Sequence, residues 1–161
     1  MDLSATSRLS KHPLFVDLSL STVELISRYA HDVAFEPGQV ILSEGGLAGA
    51  LYLLQNGQVA LSARSPGKGN LLVQTLGGGE VLGLSWLFPP FQWRFDAYAL
   101  DFVEALAVEG PGLRDCLDDD PVFGYQVLKR VAPIVLQRLQ QTRLRLLDLY
   151  SDGDGNVNRS R

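Results

Sequence analysis

The sequence predicts a mainly β domain with flanking helices: an eight-stranded antiparallel jelly roll (a double-stranded β-helix) with a short N-terminal helix and a long C-terminal helix. Two observations carry this. From Val33 to about Val108 the apolar segments are short, rich in Val, Leu, Phe and Tyr, and cut by glycine or proline at intervals of roughly 8–12 residues, the pattern of all-β folds. On both sides of that region the spacing of apolar residues changes to the helical period. Eight antiparallel strands between helices fit a jelly roll.

Taken in order, residues 1–11 are polar and read as a flexible arm. Ser21-Thr22-Val23-Glu24 fits a capping box, Ser21 capping and Glu24 reaching back, and predicts a helix over about 21–30. Strands are expected at 33–36, 39–42, 51–55, 58–64, 70–76, 80–83, 94–99 and 102–108. Asn56-Gly57 lies between two apolar runs and supplies the positive φ angles of a two-residue hairpin turn. After Gly110-Pro111-Gly112 a short helix is expected over about 112–119, and a long one from Pro121, suited to a first helical position, to Tyr150. Pro133 removes one backbone hydrogen bond and predicts a kink. Leu128, Ala132, Val135, Leu139, Thr142, Leu146 and Leu149 follow a 3.5-residue repeat, which keeps two paired helices in contact along one seam. The competing reading packs that stripe onto the chain's own β domain. The tail, 151–161, is Gly-, Asp-, Asn- and Ser-rich and reads as disordered. The domain proper is therefore expected at 12–150, with the β roll at about 32–108.

Composition narrows the function. The 161 residues are 46% apolar and 20% charged, globular values that suit one domain. No apolar run approaches the roughly 18 residues of a membrane span. Asp2, Arg8 and Lys11 leave no apolar block for a secretory leader, so the expected location is cytoplasmic. A net charge of −4 argues against a dedicated nucleic-acid binder. Cys116 alone allows no internal disulfide and no cysteine zinc cluster, and reads as a small core residue. Only His12 and His31 are available for metal or triad chemistry, and both lie before the β region, where they read as solvated or capping residues. Asp152-Gly153-Asp154-Gly155-Asn156 starts like a calcium loop, but Val157 stands where glycine is needed. Gly77-Gly78-Gly79 is not followed by a glycine at 82, where Leu82 stands. No enzyme, metal site or cofactor is expected.

Several spacings converge on one family. Phe35-Glu36-Pro37-Gly38-Gln39-Val40-Ile41 is followed by Glu44-Gly45, then by Leu51-Tyr52-Leu53-Leu54-Gln55-Asn56-Gly57-Gln58-Val59, then by Leu76-Gly77-Gly78-Gly79-Glu80-Val81-Leu82-Gly83. This resembles the cyclic-nucleotide-binding domain family, the sensor module of the catabolite activator protein and of protein kinase A regulatory subunits, over roughly residues 12–150. The resemblance implies a phosphate-binding cassette after Gly83 and a C-terminal helix that moves or dimerises. In the family a glutamate follows the glycine and takes the ribose hydroxyl, while helix amides and an arginine about ten residues on take the cyclic phosphate.

Carried over residue by residue, Gly83 is present and Arg94 lies at the expected distance. Position 84 is Leu84, which accepts no hydrogen bond, and Phe95 stands where the family often has a small or hydroxyl residue. Asp96 places a negative charge beside the expected anion site. Thr142 looks like the family's base-facing threonine. The expected ligand site is thus Gly83, Leu84, Ser85, Trp86, Arg94, Phe95 and Thr142, for cyclic AMP, cyclic GMP or another anion. Arg94 also admits a plainer reading, as a surface arginine stacked on an aromatic ring. Trp86, Phe88, Phe91, Trp93 and Phe95 crowd the cassette, either as packing or as a contact surface for an unidentified protein partner on a ligand-free interaction module. The long helix carries Lys129, Arg130, Arg138, Arg143 and Arg145 against Asp148. Only eleven polar residues follow Tyr150, so the expectation is a stand-alone domain, homodimeric through helix 121–150, with no direct DNA binding and no membrane contact.

Overall fold

The structure, a computed structural model, describes residues 3–67 and 69–157, and the side chains of residues 5–67 and 69–151. Its elements are α1 (Leu3–Lys11), α2 (Leu20–Ser27), β1 (Ala30–Phe35), β2 (Val40–Leu42), β3 (Ala50–Asn56), β4 (Val59–Ser65), β5 (Gly69–Leu76), β6 (Val81–Leu82), β7 (Asp96–Ala99), β8 (Val103–Glu109), α3 (Pro111–Asp119) and α4 (Pro121–Val157). The eight strands form two four-stranded sheets, β1-β8-β3-β6 and β2-β7-β4-β5, with every pairing antiparallel. Successive strands pass from one sheet to the other except β4 and β5, which form a hairpin. This is the jelly roll that the glycine-cut strand pattern predicts. Leu53, Leu106, Val103 and Val59 are fully buried, and Leu76 and Val81 nearly so, in the core.

The Asn56-Gly57 hairpin does not form. β3 pairs with β6 and β8, and β4 with β5 and β7, so the turn is a corner between the sheets. Gly57 takes φ 88°, and a Cβ there would lie 2.3 Å from the Phe102 carbonyl oxygen. The Gln58 N–H donates to the Asp101 carboxylate at 2.7 Å. The corner is thus fixed by the β7–β8 connection, which a local turn signal cannot report.

The expected arm is helical: α1 covers residues 3–11 and buries Ala5 and Leu9, one turn apart, in contact with α2. Its Arg8 grips both carboxylate oxygens of Asp32 on β1. Only two apolar positions are needed, so the segment looks polar in sequence. The cap of α2 is Ser19 rather than Ser21, its hydroxyl accepting from the Thr22 N–H at 3.3 Å. His12 is buried, not solvated, and its Nδ1 accepts from the Leu14 N–H at 3.2 Å.

At the other end, α4 continues through Pro133 and through the expected disordered tail as far as Val157; residues 158–161 lie outside the described residues. At 37 residues it is about 55 Å long. Phe123, Val127 and Val131 bury its first turns, and Asp120 caps it by accepting from the N–H groups of Val122 and Phe123. Beyond Ile134 the helix carries mostly exposed side chains. Among the described residues no helix is long and apolar enough to cross a membrane.

Burial lowers the pKa of the His12 imidazole, outweighing the main-chain carbonyls of Glu80 and Leu54 beside it. The folded state therefore prefers neutral His12. Stability is complete above the ordinary histidine pKa of about 6.5 and is lost as the pH falls below it, because the unfolded chain takes up a proton that the fold resists. Urea titrations of wild type and His12→Asn test this. The asparagine retains an acceptor for Leu14, and its stability should vary less between about pH 7 and pH 5.

Candidate functional site

Residues 83–95 carry the chain from β6 in one sheet to β7 in the other. The crossing begins at Gly83, with φ 93°. A Cβ at Gly83 would lie 2.9 Å from the Ala50 carbonyl oxygen and 3.0 Å from the Trp93 ring, so only glycine lets that indole close over the backbone. A single 3-10 turn, Leu84–Trp86, follows. Phe91 occupies the left-handed region at φ 56°, a conformation that costs a non-glycine residue about 1–3 kcal/mol. Two main-chain bonds hold it there: its N–H donates to Phe88 (2.9 Å), and its carbonyl accepts from the Ala48 N–H (2.7 Å). Trp93 exchanges main-chain bonds with Gly45 and Gly46, at 2.8 and 2.9 Å. The crossing segment is thereby sewn to residues 45–48.

Between this segment, the strands and α4 lies a cavity of about 440 Å³. Leu42, Leu61 and Leu82 form its strand wall, and Leu84, Phe88, Trp93 and Phe95 the wall from the crossing segment. Val135, Leu139 and Thr142 of α4 close a third side. Its polar side chains are Ser85, Gln92, Arg94, Arg138 and Thr142, and no acidic residue lines it among the described residues.

Of the residues singled out from sequence, Gly83, Leu84, Ser85, Arg94, Phe95 and Thr142 line this one cavity. Trp86 does not; it is 2% exposed and packs into the core. Trp93 is nearly as buried, and of the five cassette aromatics only Phe88 is exposed. Arg94 is exposed and makes no hydrogen bond or ion pair within the described residues. Nor does it stack on a ring. That role belongs to Arg114 of α3, whose guanidinium lies 3.9 Å from the Phe91 ring centroid and donates to the Trp86 carbonyl at 3.2 Å. Thr142 donates its hydroxyl to the Arg138 carbonyl at 2.8 Å.

The charges around the cavity are sorted. Asp96 is not among its lining residues: its carboxylate takes two bonds from Arg64, at 2.9 and 3.1 Å, and one from the Glu44 N–H at 2.7 Å. The Arg64 guanidinium, and then the Glu44 N–H, hold its pKa below the usual carboxylate value. Arg138 is half-buried and donates to the Val81 carbonyl. Burial pushes its pKa down, against the opposing pull of Glu80. The Glu80 carboxylate is itself bonded to the Gly77 N–H at 2.6 Å. Sequence reasoning counted Arg138 only as part of the helix's charge, although it lies one turn before Thr142 on the same face. Arg114 left no signal at all, being brought to the crossing segment by tertiary packing alone.

By fold and site the protein is a jelly roll with a cavity between one crossing segment and a long C-terminal helix. The family model for the cyclic nucleotide-binding domain matches residues 32–120, and the chain belongs to that family. It is 31% identical over 143 residues to the cyclic AMP receptor protein of Thermus thermophilus, covering 87% of this chain and 61% of that protein. It is 26% identical over 151 residues to the CRP-like cAMP-activated global transcriptional regulator of Mycobacterium tuberculosis, covering 92% of this chain and 65% of that protein. The chain therefore spans less than two thirds of the length of these regulators. The crystal structure of the Thermus thermophilus catabolite activator protein superposes with a TM-score of 0.67 at 29% identity, over 86% of this chain and 63% of that one. A cyclic nucleotide-binding domain from Methylobacillus flagellatus KT shares the fold with a TM-score of 0.74 at 22% identity, over 89% of this chain and 81% of that one.

Arg114 ties α3 to the crossing segment through one ring contact and one hydrogen bond. Arg114→Met keeps the apolar stem and removes both. It should lower stability by about 1–2 kcal/mol and shift tryptophan emission to the red, as read by fluorescence-monitored urea unfolding.

Proposed function

We propose that this chain is a regulatory sensor domain, not a catalyst, that admits a cyclic nucleotide or related anionic ligand to the cavity between residues 83–95 and α4. One observation carries the reading: the crossing segment and α4 line the same cavity, so a ligand that fills it touches both. Arg94, free of any partner within the described residues, and the Ser85 hydroxyl offer donors to an anion. Leu84, Phe95 and the Trp93 ring form apolar walls, Gly83 makes room for that ring, and Thr142 presents α4 to the ligand. The ligand would bias α4 by binding one helix position more tightly than another. The names of two relatives, a cyclic AMP receptor and a cAMP-activated regulator, support the nucleotide as the first ligand to try.

Calorimetry with cyclic AMP and cyclic GMP tests this, joined to hydrogen exchange along α4. Binding should protect the helix around Val135–Thr142, and Arg94→Gln should weaken it by about 10- to 150-fold, the loss expected for a hydrogen bond to a charged group. Absence of heat at millimolar nucleotide, for wild type and for Leu84→Glu, removes the nucleotide; binding that leaves exchange along α4 unchanged removes the signalling role.

The same helix supports a homodimer. Leu128, Ala132, Val135, Leu139, Thr142, Leu146 and Leu149, the seven positions of the 3.5-residue repeat, are all exposed in the single chain. A second α4 would cover them. Leu146→Asp, one turn beyond the cavity, should convert the dimer to a monomer in light scattering while leaving the far-ultraviolet dichroism of the β roll intact.

A further inference from the structure

From the chemistry of the cavity lining we infer the ligand class: a small organic anion with an apolar body, bound with its charge toward Arg94 and Arg138 and without recognition of sugar hydroxyls. This deepens the sensor reading and rests on it. The two ionised side chains of the lining are both guanidinium groups, and among the described residues no carboxylate lines the cavity; Glu80, whose charge acts on Arg138, lies outside the lining and accepts from the Gly77 N–H. Arg94 has no partner among the described residues, and Arg138 spends one donor on the Val81 carbonyl. The lining therefore carries positive charge that no lining carboxylate matches, and an anion completes it. The body of the ligand meets Leu42, Leu61, Leu82, Leu84, Phe95 and Leu139, side chains that accept no hydrogen bond. A hydroxyl-bearing ring seated against them would give up water without a charged acceptor in return. An aryl or alkyl chain seated there gains by leaving water. Asp96, the acid nearest in sequence to Arg94, is engaged by Arg64 and Glu44, so it does not cancel the charge.

Titration calorimetry of the full chain tests this with four probes: 4-phenylbutyrate, its neutral counterpart 4-phenylbutanol, cyclic AMP and 2′-deoxy cyclic AMP. The carboxylate should bind one to one with a dissociation constant on the order of 0.1 mM or tighter. The alcohol should bind at least about tenfold more weakly, and Arg94→Gln, at an exposed position that leaves the melting temperature unchanged, should weaken the carboxylate by about tenfold or more. Removing the 2′-hydroxyl should leave the affinity of any nucleotide that binds unchanged. The inference is overturned if phenylbutyrate gives no heat at millimolar concentration, or if the alcohol binds as well as the acid. It is also overturned if cyclic AMP binds about tenfold or more tightly than its 2′-deoxy analogue. In that last case the sensor reading stands and only the ligand class falls. Phenylbutyrate binding with no protection of α4 has the opposite meaning: the ligand class stands and the signalling role falls.

Discussion

The crossing of residues 83–95 between the two sheets depends on the contact between Gly83 and Trp93. The chain leaves β6 at a backbone angle that favours glycine, and the Trp93 indole fills the place of the missing Cβ. Because that ring is buried, the segment can curl back on itself and still meet β7 in register. Its main-chain bonds to Gly45 and Gly46 then fix the height at which Arg94 and Phe95 emerge. A larger residue at position 83 would push the ring away, and the cavity wall would move with it. The strained Phe91 and the Arg114 guanidinium stacked on it belong to the same construction: they clamp the outer half of the segment onto α3.

Electrostatics around the cavity follow from who is paired with whom. Neither Glu80 nor Asp96 lines it: Glu80 accepts from the Gly77 N–H, and Asp96 is bonded to Arg64 and to the Glu44 N–H. Exposed Arg94 and half-buried Arg138 reach the cavity from distant parts of the chain. A charge withdrawn from water is costly unless matched, and burial accordingly pushes the pKa of Arg138 down. The overall charge of −4 conceals this local excess of positive charge.

The fold was largely legible before the structure. Glycine-cut strands, the change of period at both ends and the cassette glycine each report local backbone needs, and local needs are written in sequence. Six of the seven expected ligand-site residues line one cavity: five belong to the segment that resembles the family's cassette, and Thr142 to the position that resembles the family's base-facing threonine. Trp86 stands apart because the 3-10 turn splits its side chains between the cavity and the core, and the aromatic composition does not say which ring goes where. The arm and the tail failed differently. α1 is held by two apolar contacts and an ion pair to β1, and α4 extends past Tyr150 through residues with weak helix preference.

The sequence by itself determined the jelly roll and the long C-terminal helix, because each depends on periodicity and on backbone angles a few residues apart, while its resemblance to a known family pointed to the segment that lines the cavity. Only the tertiary structure decided that Asn56-Gly57 is a corner and not a hairpin, that Arg114 and not Arg94 stacks on the aromatic rings, and that Arg138 completes the cavity. Those outcomes depend on strand partners and helix packing between residues far apart in the chain, whose pairing no local pattern encodes.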